Sequence, residues 1–557
     1  MARLDRLGSA KEVAEVGAVL GREFSYELLE AVSSMHKAEL VEFPGGRMQA
    51  LGIAWLQAGL VKLIDAELIY ARGVAPEAQY QFKHALIQDA AYQALLKSRR
   101  RELHRRAAET IVQKFPAAAE AQPEVIARHF TDAGDAEAAI AAWKKAGDAA
   151  DARRAFKEAE QAYQQALVML STLPESAQRD GQELTLQNAL WRVLMLTRGN
   201  AAPKTVEATA RACSLAEKSG SLSELVQQLY STWGGVFVSG DTLESVALAD
   251  RLLDLARQEG SPSSFASAHH AQVLAGFYRG CLVEVEDHWT HWNTCCDAPG
   301  YRQRPGSVVV VKGYASLNSW MLGCADSARK RMAETISFAH AIEDPYEIAF
   351  ARCFESFLHY LLRDAPHAMT AAQQALALCE EHGFSFPGAA SQGLLGWAHA
   401  QLGSPGEGVS LIRRSLAGFA ESSSRVSITD ILTQLAEAQV LDGAIDDALS
   451  TLEDALQANP DELIFQPNIL TRRGELRFKT GHRELAEADF REAIDRAQKM
   501  KAKALELRAA TGLARMLRAR GDCAAARDLL APVYGWFAEG LDTADLKDAQ
   551  ALLDELA

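Results

Sequence analysis

With 557 residues and a net charge of −15 from 58 basic and 73 acidic side chains, the chain has room for several domains or one long repeat array, and its charge argues against generic nucleic-acid binding. Only 16 prolines and 7% aromatic residues favour helix throughout. The 8 cysteines lie mostly singly, without a disulfide-framework spacing, which indicates a reducing compartment.

Met1 to Val19 carries charges at Arg3, Asp5, Arg6, Lys11, Glu12 and Glu15, so it lacks the apolar core of a signal peptide. No apolar run approaches the ~20 residues that span a bilayer. The expectation is a cytoplasmic protein with no membrane partner. Residues 1–120 hold 16 Lys and Arg against 15 Asp and Glu, a net of +1, so the acidic excess belongs to the rest.

In chain order, helical patterns over Ala10–Leu20, Ser25–Val32 and Met48–Gln57 precede two β-like runs, Leu60–Ile64 and Tyr80–Lys83, with a turn at Gly73–Pro76 between them. Helices followed by a two-stranded wing predict a small winged-helix-like module. His84–Leu96 and Arg100–Lys114 read as two more helices. Phe115-Pro116 and Gln122-Pro123 then mark a linker, since proline stops one helix and starts the next. This gives two expected domains, 1–118 and 119–557.

Beyond the linker one spacing recurs. Ala448, Leu452 and Ala455 follow Gly443; Ala486, Phe490 and Ala493 follow Gly481; Ala526, Leu530 and Val533 follow Gly521. Small, large apolar, small after a helix-ending glycine is the tetratricopeptide (TPR) pattern: the small residues let two helices approach and the large one fills the gap. Trp143, Ala146, Gly147, Ala159, Tyr163 and Ala166 match it too. Turn residues at Gly199, Gly240, Gly280, Gly323, Asp364, Gly403, Gly443, Gly481 and Gly521 punctuate the remainder at 41, 40, 43, 41, 39, 40, 38 and 40 residues. That exceeds the ~34 of an ordinary TPR, so longer helices or loops are expected. After Gly280 the small positions become large, with Val285, Trp289 and Trp292.

Three stretches resemble one family. Leu4-Asp-Arg-Leu-Gly-Ser-Ala-Lys-Glu-Val with Gly21-Arg-Glu-Phe24, Phe82-Lys-His-Ala-Leu-Ile-Gln-Asp-Ala-Ala-Tyr92, and Trp536-Phe-Ala-Glu-Gly-Leu-Asp-Thr-Ala-Asp-Leu-Lys are similar to bacterial multidomain signalling ATPases. Those proteins join a class III adenylate/guanylate cyclase, a STAND-type P-loop ATPase, a winged-helix segment and a TPR-like array. The resemblance covers essentially this whole chain but only the C-terminal half of that architecture. It implies a sensor arm that either gates an ATPase and cyclase supplied in trans or is a non-catalytic remnant, with Met1 marking a truncation, a split gene or a mis-assigned start. No Gly-x4-Gly-Lys-Ser/Thr occurs, and Gly17-Ala-Val-Leu-Gly21-Arg lacks both the spacing and the lysine that cradle phosphates.

The candidate sites each have a packing explanation. His288, His291 and Cys295 share one helix face and could serve a soft metal, but Trp289 and Trp292 beside them occupy packing positions and no second ligand pair stands out. Lys97-Ser-Arg-Arg-Arg101-Glu-Leu-His-Arg105-Arg106 invites a DNA reading, yet Leu103, Ala107, Thr110 and Ile111 make it an amphipathic helix with a basic wet face. His269-His270 and Ser261 to Ser264 lack any nucleophile elbow or His-Glu-x-x-His. His84, His129 and His399 read as packing or surface residues, with a structural hydrogen bond expected for His84 and Asp89.

The expected fold is thus all-α, a right-handed TPR-like α-solenoid of about ten helix pairs behind a winged-helix-like domain with a β-wing. Such arrays present a concave surface built from helix A side chains. The expected function is non-enzymatic: a protein, peptide or small effector binds that groove, with no catalytic, cofactor or metal residue. The alternative is a winged-helix transcription regulator with a TPR sensor.

Overall fold

The computed structural model describes residues 8–33, 40–43 and 47–557; the start of the family-like segment at Leu4 lies outside the described residues. Two compact units divide the chain, 1–193 and 194–557.

The first unit opens with α1 (Ser9–Leu20), β1 (Glu23–Ser25), α2 (Tyr26–Ser33) and a hairpin of β2 (Leu40–Phe43) and β3 (Arg47–Ala50). Then come α3 (Leu51–Asp65), β4 (Ile69–Arg72), β5 (Gln79–Phe82), α4 (Ala85–Ala94), α5 (Lys97–Lys114), α6 (Pro116–Ala121) and α7 (Pro123–Ala133). Antiparallel pairing gives a three-stranded sheet in the order β1-β5-β4 rather than a two-stranded wing. Leu60–Ile64, expected as a strand, is the last part of α3. Leu56, Leu60 and Leu63 are all buried, and their spacing of four and three is helical. The strand lies later, at Ile69–Arg72, where only Ile69 is buried and no alternation shows. The expected helix at Met48 begins at Leu51. Val13, Leu29, Leu63, Phe24 and Phe82 form the core, with Gly17 leaving room for the Phe24 ring.

From Ala136 onward the described residues form ten helix pairs and a closing helix. Repeat 1 pairs Ala136–Ala152 (helix A) with Phe156–Ser171 (helix B), and repeat 2 pairs Ala177–Arg198 with Pro203–Ser219. Repeats 3 to 6 follow as Leu222–Ser239 with Thr242–Glu259, Pro262–Arg279 with Leu282–Cys295, Ser307–Met321 with Ala325–Ile342, and Pro345–Leu361 with Ala365–His382. Repeats 7 to 10 are Ser385–Gln401 with Pro405–Glu421, Ile428–Leu441 with Ile445–Ala458, Gln466–Lys479 with Arg483–Met500, and Lys503–Ala519 with Cys523–Tyr534. The last helix is Ala544–Glu555. Both helices of repeat 3 run 18 residues, which accounts for the long period. The spacing of 43 after Gly280 holds an extra turn, Pro299–Arg302. The signature works as its chemistry requires: Ala486, Phe490 and Ala493 are buried, and the Phe490 ring packs on Gly474 of its own repeat and Gly512 of the next.

All eight punctuating glycines have positive φ; the residue in the place given to Asp364 is Arg363, with φ 62°, while Asp364 caps the following helix. The glycines nonetheless differ in surroundings. A Cβ on Gly240 would meet Asn459 and Arg425 at 2.8 and 2.9 Å, and one on Gly323 would meet Trp536 at 2.7 Å. One on Gly280 would collide with Met500, whereas Gly403, Gly443, Gly481 and Gly521 face open space. Within unit 194–557 the array therefore winds back on itself, repeats 3 to 6 meeting repeats 8 to 10. The expected open groove is largely filled along this stretch. Helix Ser307–Met321 buries residues on every side, as a helix does inside a core and not on a surface. Gly280→Ala should consequently lower the melting temperature more than Gly481→Ala, although both carry the same left-handed penalty of roughly 1–2 kcal/mol. Thermal unfolding of the two variants checks this.

Candidate functional site

Helix A side chains of repeats 3 to 6 line the interior of unit 194–557 with rings and a few charges. Tyr230 and Trp233 stack with centroids 5.6 Å apart, and His270 meets both edge-on. The hydroxyls of Tyr230 and Tyr301 each lie 2.8 Å from His270 Nδ1. Tyr301, from the extra turn, accepts a hydrogen bond from Trp292 Nε1 at 2.9 Å and donates to the Ser307 carbonyl at 2.6 Å. Burial, reinforced by the Arg304 charge, pulls His270 down to about 3, so its ring is neutral near pH 7.

Arg304 follows on the same loop. Its guanidinium lies 4.6 Å from the Tyr230 ring centroid and Nη1 donates to Ser267 Oγ at 3.2 Å. No carboxylate among the described residues pairs with it, and burial holds its pKa below the ordinary value. The Gly306 N–H donates to Glu347 Oε1 at 2.6 Å. Glu347 Oε2 is buried with no partner, as is Trp233 Nε1.

Further along the interior, Tyr278 Oη lies 2.8 Å from Tyr314 Oη and 2.5 Å from Ser427 Oγ. Glu462 accepts from the Ser427 N–H at 2.9 Å and the Thr429 hydroxyl at 2.5 Å. Asp430 accepts from Gln434 at 2.7 Å and Tyr360 at 3.3 Å. Trp397 Nε1 donates to Glu437 at 2.8 Å beside a cleft of about 270 Å³, where Arg472 pairs with Glu437 and Glu475.

Burial pushes Glu347, Asp430 and Glu462 each up to about 7, outweighing the hydrogen bonds they accept. A carboxyl raised in the folded state contributes stability that is fully present below its unfolded pKa near 4 and is lost as pH rises through 7. His269 and His270, lowered to about 4 and 3 mainly by burial, act in the opposite sense between those values and about 6.5, so the parent profile is flattened. Glu462→Gln isolates one carboxyl. It should stabilise the protein by up to roughly 3 kcal/mol at pH 8 and by little near pH 4, as denaturant melts across pH will measure.

The candidates singled out in the sequence are dispersed. His288 Nδ1 lies 3.0 Å from His269 Nδ1, and the His291 ring stacks on His269, but Cys295 turns its thiol to the carbonyls of His291 and Trp292. Trp292 is fully buried, and Trp289 lies under the Arg331 guanidinium at 3.9 Å. The three residues among those described that come near enough to share an ion are instead His359, Asp364 and His367. There Asp364 Oδ2 lies 3.2 and 2.8 Å from the two Nδ1 atoms while the carboxylate also caps helix B. On α5, Arg99 and Arg106 pair with Glu102, and Arg105 with Asp135, while Leu103, His104 and Ile111 are buried. His129 is buried against His104 at 2.9 Å; His399 lies 3.3 Å from Glu407. His84 is exposed at the start of α4 without capping it, and Asp89 is exposed. Ser261 caps helix A of repeat 4. Sequence reasoning missed Arg304 and Glu347, whose one signal was the longest spacing in the array. No helix is long and apolar enough to cross a membrane among the described residues.

No family model matches the chain. It is similar to an uncharacterized protein of Rhizobium meliloti (strain 1021), 25% identical over 529 residues, covering 91% of this chain and 49% of that protein. Among solved structures, it is similar to a Rap protein complexed with Competence and Sporulation Factor at 15% identity, over 65% of this chain and 98% of that one, with a TM-score of 0.47. It is also similar to a STAND protein with a tetratricopeptide repeat sensor from Pyrococcus horikoshii at 13% identity, over 98% of this chain and 64% of that one, with a TM-score of 0.31. The chain spans about half the length of the curated relative it matches.

Proposed function

We propose that this chain is the non-catalytic sensor and interaction part of a bacterial cyclic-nucleotide signalling system. An effector held by the helix A side chains changes how a winged-helix-like N-terminal module engages an ATPase–cyclase partner in trans. The observation that carries this reading is the seam where the array meets itself. Its rim consists of partly exposed pairs: Arg279 with Asp461 at 3.2 Å, Arg329 with Asp542 at 2.9 Å, and Arg363 with Asp548 at 2.8 Å. Such pairs are worth roughly 0–1 kcal/mol each. Behind them lie one buried charged latch, Arg508, and neutral ties from the Tyr278 hydroxyl to Ser427 Oγ and from the Arg425 and Val426 amides to the Val238 carbonyl. A weak charged rim with a single charged latch and a few neutral ties behind it is suited to two discrete arrangements, and a ligand with unequal affinity for them shifts the balance. The three family-like stretches support the choice of partner. The β1-β5-β4 sheet set among α1 to α4 supports the winged-helix description.

Co-expressing the chain with a P-loop ATPase–cyclase polypeptide of the resembled family, and measuring cyclic nucleotide, tests the reading. Output should change several-fold. An unchanged output, or ATP hydrolysis or cyclase activity by the purified chain alone, overturns it.

A further inference from the structure

The turn between the two helices of repeat 6 carries a histidine at each end and an aspartate between them. His359 lies in the last turn of helix A, Asp364 caps helix B, and His367 is the third residue of that helix. Their ligand-type atoms all lie within 4.8 Å of one another, with Asp364 Oδ2 at 3.2 Å from His359 Nδ1 and 2.8 Å from His367 Nδ1. Nitrogen and oxygen ligands held about 2.0–2.1 Å from a tetrahedral zinc ion stand about 3.3 Å apart, so these atoms need little movement to close on one ion.

Hydrogen bonding accounts for His367, whose backbone N–H and ring both reach the carboxylate, but not for His359. His359 Nδ1 is buried without a hydrogen-bond partner, near as Asp364 is. Repeat packing does not ask for this trio either. The same three places hold Ser319, Cys324 and Ser327 in repeat 5, His399, Ser404 and Glu407 in repeat 7, and Gln439, Ala444 and Asp447 in repeat 8. Burial outweighs the Asp364 and Glu355 charges and keeps the His359 pKa below its ordinary value, so the ring offers a lone pair near pH 7. The neighbouring cation, Arg363, is engaged by Asp545 and Asp548 at 3.3 and 2.8 Å. In chain order the three side chains are 24, 35 and 71% exposed, which leaves an entry path and one open position for water.

We propose that His359, Asp364 and His367 form a binding site for a divalent transition ion of the zinc class. Two imidazoles and a carboxylate suit that class, whereas calcium and magnesium take oxygen ligands. The ion joins the end of helix A to the start of helix B across Arg363, the one residue among the nine turns that takes the left-handed conformation without being glycine. The site goes beyond the sensor reading and stands without it.

The test uses the full chain, stripped with a chelator and titrated with Zn2+ in calorimetry, with Co2+ as a spectroscopic probe. One equivalent of Zn2+ should bind at micromolar concentration and raise the melting temperature by several degrees, and Co2+ should give the visible bands of a four- or five-coordinate ion. His367→Gln and Asp364→Asn should each weaken that binding at least tenfold. Both should melt close to the metal-free parent, since His367 is exposed and asparagine still caps a helix. His288→Gln, which breaks the chain's other close histidine cluster beside His269 and His291, should leave the equivalent in place. Absence of a bound equivalent, affinity unchanged in both His367→Gln and Asp364→Asn, or loss of the equivalent in His288→Gln each overturns the site. Zinc binding in a chain that leaves cyclase output unchanged keeps the site and removes only the sensor reading.

Discussion

Gly408→Ala is expected to cost about 3 kcal/mol or more, the top of the range for overpacking, although it adds a single methyl to a helix. In repeat 7 the two helices meet backbone to backbone. A Cβ at Gly408 would fall 2.5 Å from the Gly396 carbonyl oxygen, 2.9 Å from Ala400 Cβ and 3.0 Å from Ala400 N. None of these can swing aside, so relief requires the helices to separate. Gly396 mirrors the arrangement, its Cβ falling 2.7 Å from the Gly408 carbonyl oxygen. Two controls separate this from general intolerance of alanine. Gly443, with φ 85° and open surroundings, should lose only the left-handed penalty of roughly 1–2 kcal/mol. Gly181, helical and unobstructed, should gain roughly 0.5–1 kcal/mol because alanine restricts the unfolded chain and favours helix. Melting of the three variants gives the order 181, 443, 408 from most to least stable. A Gly408→Ala protein as stable as Gly443→Ala would mean that the helices of repeat 7 lie farther apart than described.

What the sequence could reveal follows from the range of the forces involved. The hairpins were legible because their determinants are local: Gly481, Ala486, Phe490 and Ala493 sit within thirteen residues of one another, and each has one job. The winding of the array was not, because Gly280 against Met500 and Tyr278 against Ser427 join residues with no local signature of meeting. Gly280 and Gly443 look alike as letters while only one has a neighbour. Leu60–Ile64 was read as strand because a short apolar run fits either period, and only the distant Leu56 reveals the helical one. The charged interior was hidden for a similar reason. Glu347 follows Asp344-Pro345 and resembles any first-turn acid, yet that turn faces inward. Arg304, in a loop, resembled a surface residue. The Gly306 amide reaches Glu347 only because the loop after repeat 4 lies against the first turn of repeat 6.

Removal of the latch should be the most damaging charge change in the array: Arg508→Ala is expected to cost about 3–5 kcal/mol, the range for breaking a buried pair by deleting one partner. The Arg508 side chain is 8% exposed. Its Nε donates to Asp545 at 2.8 Å, its Nη2 to the Leu361 carbonyl, and its guanidinium covers the Trp320 ring at 4.7 Å. One residue thus ties helix A of repeat 10 to repeats 5 and 6 and to the closing helix. Deleting it strands the mostly buried Asp545 with only Arg363 at 3.3 Å, frees a helix-terminal carbonyl and uncovers an indole. Arg508→Lys should recover less than half of the loss, since an ammonium cannot serve the carboxylate and the carbonyl from one planar fork while lying over the ring. Arg363→Ala, on the exposed rim, should cost no more than about 1 kcal/mol. Hydrogen exchange adds the spatial readout: in Arg508→Ala, amides of Trp320–Gly323 and Ala544–Glu555 should lose protection while those of the distant pair at 222–259 keep theirs. A loss below about 1 kcal/mol with unchanged exchange would show that the seam does not depend on this residue, and the two-arrangement account of sensing would then lack its latch.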